Sequence, residues 1–160
     1  MAVECVKMYF SEENVKLSGP GLYVISGATN CGKSCLTRDI LVRHCDVFVD
    51  KISKIYYCYS NYQRAFDELS NDLGSKIQFV QGFSGTSFFT EHGLNNRTEY
   101  SETILIALDD CLEEILSKKD SLLIFSRLTH HRNVIFLLQT QLLLPNSDLF
   151  RSIVKVSLSS

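Results

Sequence analysis

Residues Gly27-Ala28-Thr29-Asn30-Cys31-Gly32-Lys33-Ser34 spell G-x-x-x-x-G-K-[ST], a spacing whose chemistry is phosphate binding. Glycines at 27 and 32 let the backbone wrap closely and turn successive N–H groups inward around an anion. A helix beginning at Lys33 adds the positive end of its dipole to the same concavity. The Lys33 ammonium would then face the β and γ phosphates of a nucleoside triphosphate, and the Ser34 hydroxyl would face Mg²⁺. The stretch Gly27, Ala28, Thr29, Asn30, Cys31, Gly32, Lys33 and Ser34 is therefore expected to bind ATP with Mg²⁺ as its companion ion.

A second site of chemistry lies far along the chain. Asp109-Asp110 directly follow the apolar run Thr103-Ile104-Leu105-Ile106-Ala107-Leu108, which puts two carboxylates at the C-terminal end of a strand, where ligands of open α/β sheets lie. Asp109 suits the metal and Asp110 suits orienting or deprotonating an attacking water; capping of a following helix is the alternative for the pair. The next apolar run closes with Leu138-Gln139-Thr140-Gln141. An amide there can reach a γ phosphate, where it senses hydrolysis or positions water, although a Gln at a strand end is usually just solvated. His130-His131 precede that run in an expected loop, where paired histidines are mostly exposed or structural.

These groups need elements to hold them. The run Leu22 to Ser26 reads as the strand before the phosphate loop, and Leu36, Ile40 and Leu41 mark one face of a helix from Lys33 to about His44. A short strand is expected near Val3 to Phe10, a turn at Ser18 to Gly21, further strands at Lys54 to Tyr59, Ile77 to Val80 and Val134 to Leu138, and helices at Gln63 to Leu69, Asp110 to Ser117 and Ser121 to Leu128. Gly82 to about Tyr100 reads as a loop whose Phe83, Phe88 and Phe89 are expected to anchor it to the core, the alternative being a stacking platform for nucleic acid. Strands alternating with helices imply a mostly parallel sheet between helical layers. The β-like segment at 55–59, between the loop and the acidic strand, favours the additional-strand, RecA-like class of three-layer α/β P-loop NTPases over the GTPase and nucleotide-kinase branch.

Taken together, Ile104 to Asp110, His130-His131-Arg132-Asn133-Val134, Thr140-Gln141 and Arg151 resemble the packaging ATPases of large DNA viruses and Maverick/Polinton transposons, within the FtsK/HerA superfamily. The resemblance runs from about Leu22 to Ser160. It implies nucleotide binding at Gly32, Lys33 and Ser34, metal binding and catalysis at Asp109 and Asp110, γ-phosphate sensing at Gln141, and a homo-oligomeric ring acting on double-stranded DNA. In such rings an arginine crosses a subunit boundary to complete the site, and Arg151 best matches it. Leu142 stands where the family has Asn. The family's chain continues where this one stops, so residues 1–160 are expected to form a single ATPase domain cut short at its C-terminus.

Composition bounds the rest. With 45% hydrophobic and 21% charged residues over 160 positions, the chain is an ordinary globular one. A formal net charge of −2 carries no electrostatic footprint for nucleic acid, so DNA contact would come from a local surface or from ring assembly. Six cysteines without a C-x-x-C pair, one of them inside the phosphate loop, point to a reducing compartment, the cytoplasm or nucleus of a host cell. Cys31, Cys35, His44 and Cys45 match no usual zinc spacing. No apolar run approaches the ~18 residues of a membrane span. Two rivals share the loop: a small nucleoside or nucleotide kinase, which needs an arginine-bearing lid, and an inert nucleotide-binding remnant of a mobile element.

Overall fold

The computed structural model describes residues 16–111 and 121–141. Five strands, β1 (Gly21–Ser26), β2 (Ile52–Tyr59), β3 (Ile77–Gln81), β4 (Thr103–Asp109) and β5 (Val134–Thr140), form one sheet in the order β1-β5-β4-β2-β3. Every pairing is parallel. Parallel strands need crossover connections, and these are supplied by α1 (Lys33–Val42), α2 (His44–Val47), α3 (Ala65–Leu73), α4 (Thr86–Glu91) and α5 (Ser121–Arg132).

Strand β5, last in sequence, lies between β1 and β4. The chain first steps outward from β1 to β2 and β3, then returns through β4 to β5. Right-handed crossovers put the helices of the outward and return journeys on opposite faces. The two apolar clusters follow that division. On one face Leu41, Phe48, Phe66 and Leu69 pack on Ile55, Leu105 and Ile135; on the other Phe88, Phe89, Phe125 and Leu128 pack on Cys58, Ile106 and Phe136. Both β4 and β5 are buried at every position, which is why they read as continuous apolar runs rather than alternating ones.

The structure departs from the sequence expectations in several places. Within Gly82 to Tyr100, α4 forms because Phe88 and Phe89, both 0% exposed, must reach the core together, and burial overrides the local Gly/Ser/Thr composition. Truncating either ring would cost about 3–5 kcal/mol. The histidine pair sits not in a loop but in the last turn of α5, which continues to Arg132. Helix α1 ends at Val42, where Arg43 takes a non-helical conformation, and the short α2 follows. Helix α3 starts and ends later than expected. Asp110 and Cys111 lie outside any helix. The strand near Val3 to Phe10, the rest of the helix at Asp110 to Ser117, Leu142 and Arg151 lie outside the described residues. Among the described residues no helix is long and apolar enough to cross a membrane.

Candidate functional site

Because all strands run the same way, the loop after β1, Asp109 at the end of β4 and Gln141 just past β5 share one edge of the sheet. Register fixes their relative height: Ser26 pairs with Thr140 and Asp109 with Gln139. The Gly27 N–H continues the ladder one step further, donating to the Thr140 carbonyl at 3.3 Å.

The loop then turns through residues of left-handed backbone, Asn30 at φ 61° and Gly32 at φ 91°, and such reversals of hand make concave nests of N–H groups. Gly32 is also the N-cap of α1, whose first turn has no side-chain cap and no acidic residue. An uncapped helix N-terminus leaves its N–H groups open to an anion. A Cβ at Gly27 would lie 2.5 Å from Sγ of the exposed Cys31, so the thiol would have to give way to any side chain there. The Lys33 ammonium curls back into the loop, donating to the carbonyls of Gly27 at 2.7 Å and Ala28 at 2.6 Å.

Asp109 is buried, and its two oxygens differ. Oδ2 accepts from the Tyr57 hydroxyl at 3.0 Å, whereas Oδ1 has no hydrogen-bond partner among the described residues. Burial pushes this carboxyl above the usual aspartate range; the Tyr57 hydroxyl opposes the shift, the neighbouring Asp110 adds to it and the Lys33 charge counters it. Tyr57 in turn is pushed well up, by burial first and by the Asp109 charge next. Asp110 is exposed, with left-handed backbone at φ 54°.

Side chains of β5 and of the residue just past it add bonds to the phosphate loop and the first turns of α1. Thr29 Oγ1 donates to Gln141 Oε1 at 3.1 Å. Further in, Gln139 Nε2 donates to Ser34 Oγ at 3.3 Å, and its Oε1 accepts from Thr37 Oγ1 at 2.8 Å. The structure thus joins the loop to the end of β5 and places Asp109 in register beside Gln139. Thr37 and Tyr57 belong to this constellation although their sequence context gives them no role, and Gln139, read only as one of two amides closing its strand, bonds to Ser34 and Thr37 instead; the available signal is the amide in an apolar strand, on the face that carries Asp109.

A lone orphaned carboxylate oxygen and a serine hydroxyl are a hard, sparse donor set. That suits Mg²⁺, which keeps several waters and takes one or two protein oxygens plus substrate phosphates. Among the described residues no group of three or more His, Cys, Asp or Glu gathers as a self-sufficient metal cage, and Cys31, Cys35 and Cys45 are exposed thiols outside any disulfide. Beside Ser34 opens a cleft of about 120 Å³ whose lining includes Arg38, Tyr57, Gln63, Phe66 and Leu69.

No model of a known protein family matches the chain, and no curated protein matches it in sequence. The resemblance to packaging ATPases therefore rests on the quoted residues.

Proposed function

We propose that this chain is a P-loop nucleoside triphosphatase of the RecA-like, additional-strand class. More particularly, we infer an ATPase of the kind that packages double-stranded DNA, working as a homo-oligomeric ring. The observation that carries the first step is the meeting, at one sheet edge, of an uncapped G-x-x-x-x-G-K-S turn with a buried carboxylate whose Oδ1 is unpartnered. The strand order supports the class, because β5 separates the phosphate-loop strand from the acidic one. The second step rests on the motif resemblance alone.

In this reading the loop N–H groups and the α1 N-terminus receive the β and γ phosphates, and Lys33 places a point charge on them. Ser34 and Asp109 would hold Mg²⁺, which supplies charge neutralisation on the transferring phosphoryl group. Asp110, exposed at the end of β4, would orient the attacking water. Gln141, already hydrogen-bonded to Thr29 of the loop, would report the γ phosphate. Arg151 would act against a neighbour's nucleotide, and lack of such a trans arginine can cost ~10³ or more in rate.

The test is ATP binding by calorimetry and phosphate release across a wide dilution series, with and without double-stranded DNA. Wild type should bind ATP, Lys33→Ala should bind it far more weakly, and specific activity should climb with protein concentration. Equal ATP affinity in wild type and Lys33→Ala would sink the nucleotide site. Flat specific activity from a monomer would sink the ring.

One observation favours a second reading. The cleft beside Ser34, lined by Tyr57, Phe66 and the Gln63 amide, offers the stacking and hydrogen-bonding contacts that a nucleoside acceptor would use. Label from [γ-³²P]ATP appearing on a nucleoside rather than in inorganic phosphate would decide for the kinase.

A further inference from the structure

We propose that Gln139 is a positioning residue for the metal ligand Ser34. The inference rests on the Mg²⁺–ATP reading above and adds a residue to it.

The argument starts from burial. Gln139 is 5% exposed and sits in a strand otherwise apolar up to that point. Burying an amide is costly unless both ends are bonded, and both are. Thr37, one turn further along α1 than Ser34 and 2% exposed, donates to Oε1 at 2.8 Å and so turns the amide's N–H₂ toward Ser34 Oγ, 3.3 Å away. The amide is thus clamped at one end and directs the other. Its Cα is the register partner of Asp109 on β4, so the same residue ties the first turn of α1 to the acidic strand.

A hydroxyl offers two lone pairs and one proton. With one lone pair taken by Gln139 from the buried side, the other lone pair and the proton are left on the exposed side of Ser34, where a cation and an acceptor would meet them. A neutral amide does this without adding charge next to the Asp109 carboxylate. Asparagine is one methylene short of the span, and a carboxylate would accept from Ser34 instead of donating to it. Residues that hold a metal ligand in this way typically change metal affinity 10- to 100-fold when replaced.

The experiment measures binding of a fluorescent ATP analogue in EDTA and across a Mg²⁺ titration. Gln139→Met keeps the side chain's length and removes both polar ends. It should bind the analogue in EDTA within about twofold of wild type, while the Mg²⁺ concentration needed for tight binding rises roughly 10- to 100-fold. Thr37→Val, which frees only the clamped end, should shift it less in the same direction, and it carries the test should Gln139→Met fail to fold. In a Ser34→Ala background, Gln139→Met should add nothing to the Mg²⁺ requirement. An unchanged Mg²⁺ requirement in both variants, or a Gln139→Met effect undiminished in Ser34→Ala, overturns the assignment and leaves the ATP site standing. Wild type that binds the analogue no better with Mg²⁺ than in EDTA overturns the assignment together with the metal half of the reading above.

Discussion

The Tyr57 hydroxyl and the Asp109 carboxylate meet across adjacent strands, 3.0 Å apart, and the bond leaves Oδ1 of the same carboxylate buried and without a partner among the described residues. One oxygen is paired and the other is not. In the proposed function the unpaired oxygen is the one left to meet Mg²⁺.

Tyr57→Phe removes the fixed bond and keeps the ring, which packs at 4.9 Å from Phe66. A buried hydrogen bond to a charged group is worth about 1.5–3 kcal/mol, so denaturant unfolding should report a loss of that order. The functional effect is a matter of sign. The Tyr57 hydroxyl pulls the Asp109 carboxyl down against burial, so without it the carboxyl protonates at higher pH. Mg²⁺-dependent ATP binding should then fall off at higher pH in Tyr57→Phe than in wild type. Superimposable acid limbs would show that Asp109 does not govern the metal.

Asp109→Asn should remove a pH-dependent cost of folding from the nucleotide-free protein and destroy its response to Mg²⁺. Because burial holds the folded carboxyl above its unfolded value of 3.8, the ionised form opposes folding at neutral pH, and that cost fades as pH falls through the folded value toward the unfolded one. The amide carries no such charge cost, although it also weakens the Tyr57 bond and sets an unpartnered polar group where Oδ1 stands, so the pH dependence isolates the charge. Thermal scans in EDTA at pH 7.5 and at mildly acidic pH check it: the melting temperature of the variant relative to wild type should be higher at pH 7.5 than at the lower pH. A difference between the two proteins that does not change with pH refutes the cost assigned to this carboxylate.

Much of this arrangement was legible from the sequence because its signals are local. The glycine spacing of 27 and 32, the Lys33-Ser34 pair and the apolar run ending at Asp109 each need only neighbouring residues to be read. Gln139 was not legible in the same way, since its partners Ser34 and Thr37 lie 105 and 102 positions away. The more exposed Gln141, at the strand's end, carries the stronger motif signal. Helix α4 escaped for a related reason: a Gly/Ser/Thr-rich stretch has no helical pattern until Phe88 and Phe89 are given a core to enter. The mixed faces of β2 hid Tyr57 too, since strand alternation alone does not say that its hydroxyl will find Asp109.

His44 gives the fold a pH dependence away from the nucleotide site. It is buried, its Nδ1 lies 2.8 Å from the Leu41 carbonyl and its Nε2 lies 2.7 Å from the Lys76 ammonium. The ring is therefore neutral, donating to Leu41 and accepting from Lys76. Burial first, with the Lys76 charge adding to it against the Leu41 bond and Asp46, holds its pKa below the ordinary 6.5. A histidine depressed in the folded state contributes stability that is present above about pH 6.5 and lost as pH falls through the folded value. Wild type should lose more melting temperature between pH 7.5 and 5.5 than His44→Gln does. Equal losses would mean that the ring titrates freely.

The phosphate loop offers a test of why its first glycine is a glycine. An alanine Cβ at position 27 would stand 2.5 Å from Cys31 Sγ, while the next nearest atoms, Cγ and Cδ of Lys33, lie at 3.8 Å in ordinary contact. The thiol is thus the clash to relieve. Overpacking of this kind costs about 1–3 kcal/mol, and in the loop it should appear as weakened ATP binding by calorimetry. Cys31→Ala removes the obstructing atom, so the pair should be strongly non-additive: Cys31→Ala alone close to wild type, Gly27→Ala weak, and the double variant recovering most of the lost affinity, with a coupling of roughly 0.5–3 kcal/mol. Additive effects would show that the backbone's own approach to the phosphates, and not the thiol, excludes a side chain at 27.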